Sequence, residues 1–229
     1  MATVVLLRHA RSTANGSGVL AGRSPGVELD ESGRKQADAL VDRLAQVPLA
    51  EIVCSPLLRC QQTVTPLAKA RDLAPVTEDS LSEVDYGAWT GRELKTLFKE
   101  TLWSVVQQHP SAAVFPEGEG LAQVQTRAVA AVRAHDARIS AAHGPKAVWL
   151  LCSHGDVLKA IIADALGQHL DTFQRIVVNP ASVSVVQYTE TRPFVLRMND
   201  NGGELASIVP REAEPAADEP PAGDAVPGG

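Results

Sequence analysis

Apolar positions follow two rhythms along this chain. Short continuous runs at 4–7, 51–54 and 147–152 end in small or charged residues, as in strands buried on both faces of a parallel sheet. Between the first two runs, Ala37, Leu40, Val41, Leu44 and Val47 recur at helical spacing behind Asp30, which predicts a capped helix. The second run leads into Ser55-Pro56, a cap followed by proline at a first helical position, so a helix is expected over 56–69. A longer amphipathic stretch at 119–142 precedes the third run, and 154–166 reads as the next helix. Runs at 183–188 and 194–198, separated by Thr191-Arg192-Pro193, predict a hairpin-like pair that closes the sheet.

Strand and helix therefore alternate, which defines an α/β class. The expected architecture is a three-layer sandwich: a mostly parallel central sheet, helices on both faces, and a helical insertion at 91–120 over the strand ends. No repeat of fixed period interrupts it, so 1–210 is read as one domain.

Composition adds limits. Of 229 residues, 45% are apolar and only 4% aromatic, enough for one sizeable core. The net charge is -6, and segment 211–229 alone holds five acids against one arginine. That segment is rich in Pro, Ala and Gly and lacks aromatics, so it is expected to be a disordered acidic tail. With no positive field, nucleic acid and anionic membrane are not expected partners. No stretch approaches the roughly 18 apolar residues of a membrane span. Cys54, Cys60 and Cys152 show neither CxxC nor metal spacing, which suggests a reducing, cytoplasmic setting.

Candidate chemistry gathers where ligands bind in open α/β sheets, at the carboxyl ends of strands. Arg8 and His9 follow the first run, Arg59 falls in the first turn of the helix after the second, and His154-Gly155 follows the third. Any one of these could be a solvated or structural side chain. Two imidazoles and two guanidiniums at the functional ends of three strands make a cationic pocket suited to a phosphoryl group.

These residues resemble the histidine phosphatase superfamily, also called the phosphoglycerate-mutase-like family. Its opening signature is Arg-His-Gly, then Ser or Thr, then Asn; Arg8-His9-Ala10-Arg11-Ser12-Thr13-Ala14-Asn15 matches except at Ala10, where a positive φ would suit alanine less than glycine. The resemblance continues through Leu20-Ala21-Gly22-Arg23 with Gly33 and Ala37, and through Ser55-Pro56 with Arg59 and Gln62-Thr63. It then runs through the stretch from Leu81 to Gly91, Pro116-Glu117-Gly118-Glu119 and Ser153-His154-Gly155.

It implies that His9 is the nucleophile, taking the phosphoryl group on one ring nitrogen while a backbone carbonyl holds the other. Arg8, Arg59 and His154, the last as imidazolium, would neutralise the equatorial oxygens, and Asn15 would donate a further hydrogen bond. Gly22 and Gly155 would offer backbone N–H groups. Glu83 matches the proton donor, against the rival reading of a surface carboxylate near a turn.

A two-His, one-carboxylate metal site built from His9, His154 and Glu83 is the competing chemistry. Arg8 and Arg59 would repel a dication there, so no metal and no cofactor is expected. His109, His135, His143 and His169 read as surface, Trp103 with Val105 and Val106 as core of the insertion, and Glu119 as a cap or a partner of Arg127.

Glycolytic phosphoglycerate mutases carry Arg directly after the acid and an Arg-Arg pair in the insertion. Here Val84 follows Glu83, and 91–120 holds Arg92, Lys95 and Lys99 without an Arg-Arg pair. The expected function is hydrolysis of a small phosphomonoester, ahead of a phosphomutase and of a non-catalytic phospho-ligand binding protein, which would have lost His9 or Glu83. Arg23, Tyr86, Arg92 and Trp103 would set the substrate. The expected partner is a small-molecule phosphomonoester, with a homodimer left open.

Overall fold

In the computed structural model, β1 (Thr3–Arg8) leads through α1 (Thr13–Ser17) to α2 (Glu31–Arg43), β2 (Leu49–Cys54), α3 (Leu58–Ala70) and β3 (Val76–Thr77). Then come α4 (Leu94–Leu97), α5 (Thr101–Gln108), α6 (Leu121–His143), β4 (Val148–Ser153), α7 (Gly155–Ala165), β5 (Val183–Gln187) and β6 (Phe194–Asp200). The structure describes residues 1–203; the expected domain end at 204–210 and the tail at 211–229 lie outside the described residues.

The sheet order is β3-β2-β4-β1-β5-β6. β3, β2, β4 and β1 are parallel, whereas β5 runs antiparallel to β1 and pairs antiparallel with β6, the hairpin the sequence predicts.

The continuous apolar runs have a simple cause. β1 sends Val4 and Leu6 to one face and Val5 and Leu7 to the other, and β4 divides Trp149 and Leu151 from Leu150 and Cys152 in the same way. One face packs against Val124, Val132 and Ile139 of α6 and Val157 and Ile161 of α7; the other packs against Leu40 of α2 and Val64 and Leu67 of α3. With helices on both sides, neither side-chain parity of these strands meets water. The three-layer expectation holds.

Local signals vary in how well they mark helix ends. Asp30 caps α2, its carboxylate accepting from Gly33 N at 2.7 Å. Gly33 itself sits where a Cβ would lie 1.9 Å from the Arg11 carbonyl, so only glycine lets α2 close on the backbone just past His9.

The Ser55-Pro56 cap, in contrast, is not formed. The helix starts at Leu58 with Leu57 as N-cap, and the Ser55 hydroxyl pairs with His154 Nε2 at 2.8 Å while accepting from Leu57 N at 3.4 Å. Pro66 inside α3 costs about 3 kcal/mol. Burial of Val64 and Leu67 on the same helix, at about 1.5–3 kcal/mol each, outweighs it.

Segment 91–120 is less helical than expected, with two short helices, α4 and α5, and a 3-10 turn at Pro110–Ala112. It is tied to the loop after α1 by Leu20 N to Arg92 O at 2.9 Å and Leu94 N to Gly18 O at 2.9 Å. Trp103 packs on Trp89 and Phe98, in keeping with a core role.

Candidate active site

The carboxyl ends of β1, β2 and β4 lie side by side, and each delivers a residue to one buried cluster. His9 follows β1, its amide bonded to Ser153 O of β4 at 2.9 Å. Arg59 stands in the first turn of α3, and His154 is the N-cap of α7. Arg8, His9, Arg59, Glu83 and His154 are all 3% exposed or less. Glu83 is therefore no surface carboxylate.

His9 Nδ1 lies 2.8 Å from Ala10 O. A carbonyl can only accept, so Nδ1 carries the hydrogen and Nε2 keeps its lone pair. Arg59 Nε points at that lone pair from 3.3 Å. Around it, Thr63 braces the loop, accepting from Ala10 N at 2.9 Å and donating to Arg59 O at 2.7 Å. Ala10 is absent from the residues with positive φ and is fully buried beside Leu29, Ala37 and Ala181, so its replacement of glycine strains nothing.

Arg59 stands between the two imidazoles: its Nη2 donates to Gly22 O at 2.9 Å and contacts His154 Nδ1 at 3.1 Å. The ring nitrogens that a metal would use thus face a guanidinium. Since arginine only donates, His154 Nδ1 is an acceptor and its Nε2–H donates to Ser55 Oγ. Burial and these contacts favour neutral His154, and the imidazolium expected from the sequence needs a phosphoryl dianion beside it. Burial is the main cause holding its pKa well below the ordinary 6.5, with Arg59, His9, Arg8 and Arg127 adding repulsion.

A stability prediction follows with a definite sign. The unfolded chain takes up a proton near pH 6.5 that the folded chain refuses, so this contribution is complete above that pH and declines as pH falls through it. Urea unfolding between pH 8 and 5 should show wild type losing up to about 1.4 kcal/mol per pH unit more than His154→Asn below about pH 6.5. Parallel curves for the two proteins would contradict the buried neutral imidazole.

Arg8 Nη1 donates to Val178 O at 2.7 Å, and its guanidinium lies 3.4 Å from where a Gly155 Cβ would be. Gly155 opens α7, where the first N–H groups lack intrahelical acceptors. Asn15 is half-buried, its side-chain oxygen held by Ser12 N at 2.9 Å and Ser12 Oγ at 2.8 Å. Gly22 contributes its carbonyl, which aims Arg59. Glu83 Oε2 stands 3.8 Å from His154 Nδ1 and Oε1 accepts from Val84 N at 2.9 Å.

Other contacts escape a reading of the sequence. Ser55 orients His154, and Cys60 Sγ lies 3.5 Å from the same ring nitrogen. Tyr86 donates to Asp156 Oδ2 at 2.9 Å in a buried pocket that Lys159 shares, 3.6 Å from Asp156 Oδ1. Glu119 pairs with Arg127, one of its two expected roles, while Gly120 is the N-cap of α6. Of the histidines read as surface, His135 is the exception: it is largely covered and bonded to Glu78 at 3.0 Å.

The sequence profile described as histidine phosphatase superfamily (branch 1) matches residues 4–201. The chain belongs to that superfamily, the class of enzyme to which its fold and buried cationic site correspond. It is 31% identical over 205 residues to phosphoserine phosphatase 1 of Hydrogenobacter thermophilus, covering 87% of this chain and 92% of the relative. It is 30% identical over 193 residues to a Yersinia pestis protein named probable phosphoglycerate mutase GpmB, covering 83% and 87%. Among solved structures, the alpha-ribazole phosphatase of Shigella flexneri aligns with a TM-score of 0.74 and 25% identity over 87% of this chain and 96% of that one. Among the described residues no helix is long and apolar enough to cross a membrane.

Proposed function

We propose that the protein hydrolyses a small phosphorylated metabolite through a phosphohistidine on His9. The observation that carries this reading is the state of His9, with Nδ1–H locked on Ala10 O and the Nε2 lone pair facing Arg59 in a buried cationic cluster. Nε2 attacks phosphorus as the bond to the ester oxygen breaks, and Glu83, as a carboxylic acid, gives its proton to that oxygen. Arg8 and Arg59 stabilise charge on the equatorial oxygens, and an arriving phosphate dianion favours protonation of His154 beside it. Glu83, now a carboxylate, takes a proton from water as the water attacks phosphorus, the P–N bond breaks, and inorganic phosphate leaves.

Phosphatase is favoured over mutase by the residues beside the acid. Val84 is fully buried where a mutase-type arginine would stand, and Arg92 is engaged with Glu100 at 2.6 Å. The three cysteines are buried free thiols, which fits a reducing cytoplasm. The test is a panel of phosphomonoesters, including phosphoserine and alpha-ribazole phosphate after the names of the relatives. Inorganic phosphate should appear in proportion to ester lost, without a bisphosphate primer. Isomerised ester with little free phosphate would replace this reading with a mutase.

A further inference from the structure

Glu83 is held by its backbone as well as by its pocket. Its carbonyl oxygen accepts from Arg23 Nε at 2.8 Å and from Arg127 Nη2 at 3.2 Å. Arg127 reaches out from α6 and also donates through Nη1 to Ser80 O at 2.6 Å, so one guanidinium grips the loop on both sides of Leu81 and Ser82. Glu119 locks that guanidinium: Oε2 accepts from Arg127 Nε at 2.9 Å and Oε1 from Arg127 Nη2 at 3.0 Å. The same Oε1 bonds Arg23 Nη2 and accepts from Asp85 N at 3.0 Å, two residues beyond the acid. Arg127 and Glu119 are mostly covered, with side chains 20% and 14% exposed.

We propose that Arg127 and Glu119 are positioning residues for Glu83, fixing Ser80, Glu83 and Asp85 so that the carboxyl reaches the departing ester oxygen. The proposal rests on the reading of Glu83 as the acid. Geometry argues for arginine specifically. Three nitrogens of one planar group serve Ser80 O, Glu83 O and both oxygens of Glu119, which a lysine ammonium on a single flexible stem cannot reproduce. The carboxylate between Arg23 and Arg127 also offsets their charge beside a group that must hold a proton to act.

A leaving-group comparison separates positioning from general loss of fold. In single-turnover phosphorylation of His9, Arg127→Met should slow an alkyl phosphate about 10- to 100-fold, the scale of a misplaced catalytic group. It should slow p-nitrophenyl phosphate by no more than about threefold, because that phenolate leaves without a proton. Arg127→Lys should fail to restore the alkyl rate, and Glu119→Gln, which keeps the shape and one acceptor, should show a smaller loss of the same pattern. Glu83→Gln is run alongside. If it shows the leaving-group contrast while folded Arg127→Met and Glu119→Gln slow both esters equally or neither, the positioning role is overturned and the acid stands. Full recovery in Arg127→Lys would likewise overturn it, in favour of charge alone. If Glu83→Gln shows no contrast, the acid reading fails and takes the proposal with it. Should Arg127→Met not fold, Glu119→Gln decides.

Discussion

Replacing His9 with alanine should abolish turnover, a loss of about 10⁴-fold or more, and with it any acid-labile phosphoenzyme. The fold should survive. The ring bonds Ala10 O and Arg59 among its partners, and Arg59 keeps Gly22 O and His154 without it. The stability cost is that of one buried polar group and a small cavity, about 1–3 kcal/mol. Phosphate release measures the first effect, acid-quenched labelling the second, and urea unfolding the third. Retained turnover in a folded variant would remove His9 from the mechanism. A chelator should leave the wild-type rate unchanged, since a guanidinium fronts both imidazoles, and strong inhibition would revive the two-His, one-carboxylate metal site.

Glu83→Gln should slow the phosphorylation of His9 by alkyl phosphates about 10²- to 10⁴-fold and by p-nitrophenyl phosphate much less. An alkoxide is a poor leaving group and needs a proton in the transition state, whereas a phenolate of low pKa does not. Glutamine keeps the side chain's size and can still accept from Val84 N, as Glu83 Oε1 does at 2.9 Å, so the contrast reports on proton transfer rather than packing. The single-turnover step must be measured, because Glu83 also serves the later attack of water. Equal losses for both esters would assign the acid elsewhere. Asp85 is the nearest candidate, its carboxylate bonded to Gly87 N at 3.1 Å.

Much of the site was legible because its residues are anchored to strand ends. In an α/β sheet, a side chain within a few residues past a buried apolar run is at the functional edge wherever the helices lie, so His9, Arg59 and His154, which follow the runs at 4–7, 51–54 and 147–152, could be placed there. Glu83 lacks such an anchor. It stands in a loop after a 3-10 turn at Asp79–Leu81, and the residues that bring it to the cluster come from Ser153, whose hydroxyl donates to Leu81 O at 2.8 Å, and from Arg23 and Arg127. Only its resemblance to a family motif marked it.

The sequence by itself determined the layers, the parallel core, the closing hairpin and which side chains stand at the strand ends, because those follow from local periodicity and from burial on two faces. Tertiary structure alone decided what those side chains are. Ser55 reads as a helix cap and is instead the partner of His154, since a hydroxyl takes whichever acceptor or donor the fold brings within reach. His154 reads as a cation, yet its charge depends on burial and on Arg59, 95 residues away along the chain and 3.1 Å away in space, which favour the neutral ring until a phosphate dianion stands beside it. Glu119 reads as a cap or a partner of Arg127, but the grip of that pair on the loop of the acid is not legible, because the Ser80 and Glu83 carbonyls that Arg127 binds and the Asp85 N–H from which Glu119 accepts belong to a segment whose approach no local pattern records.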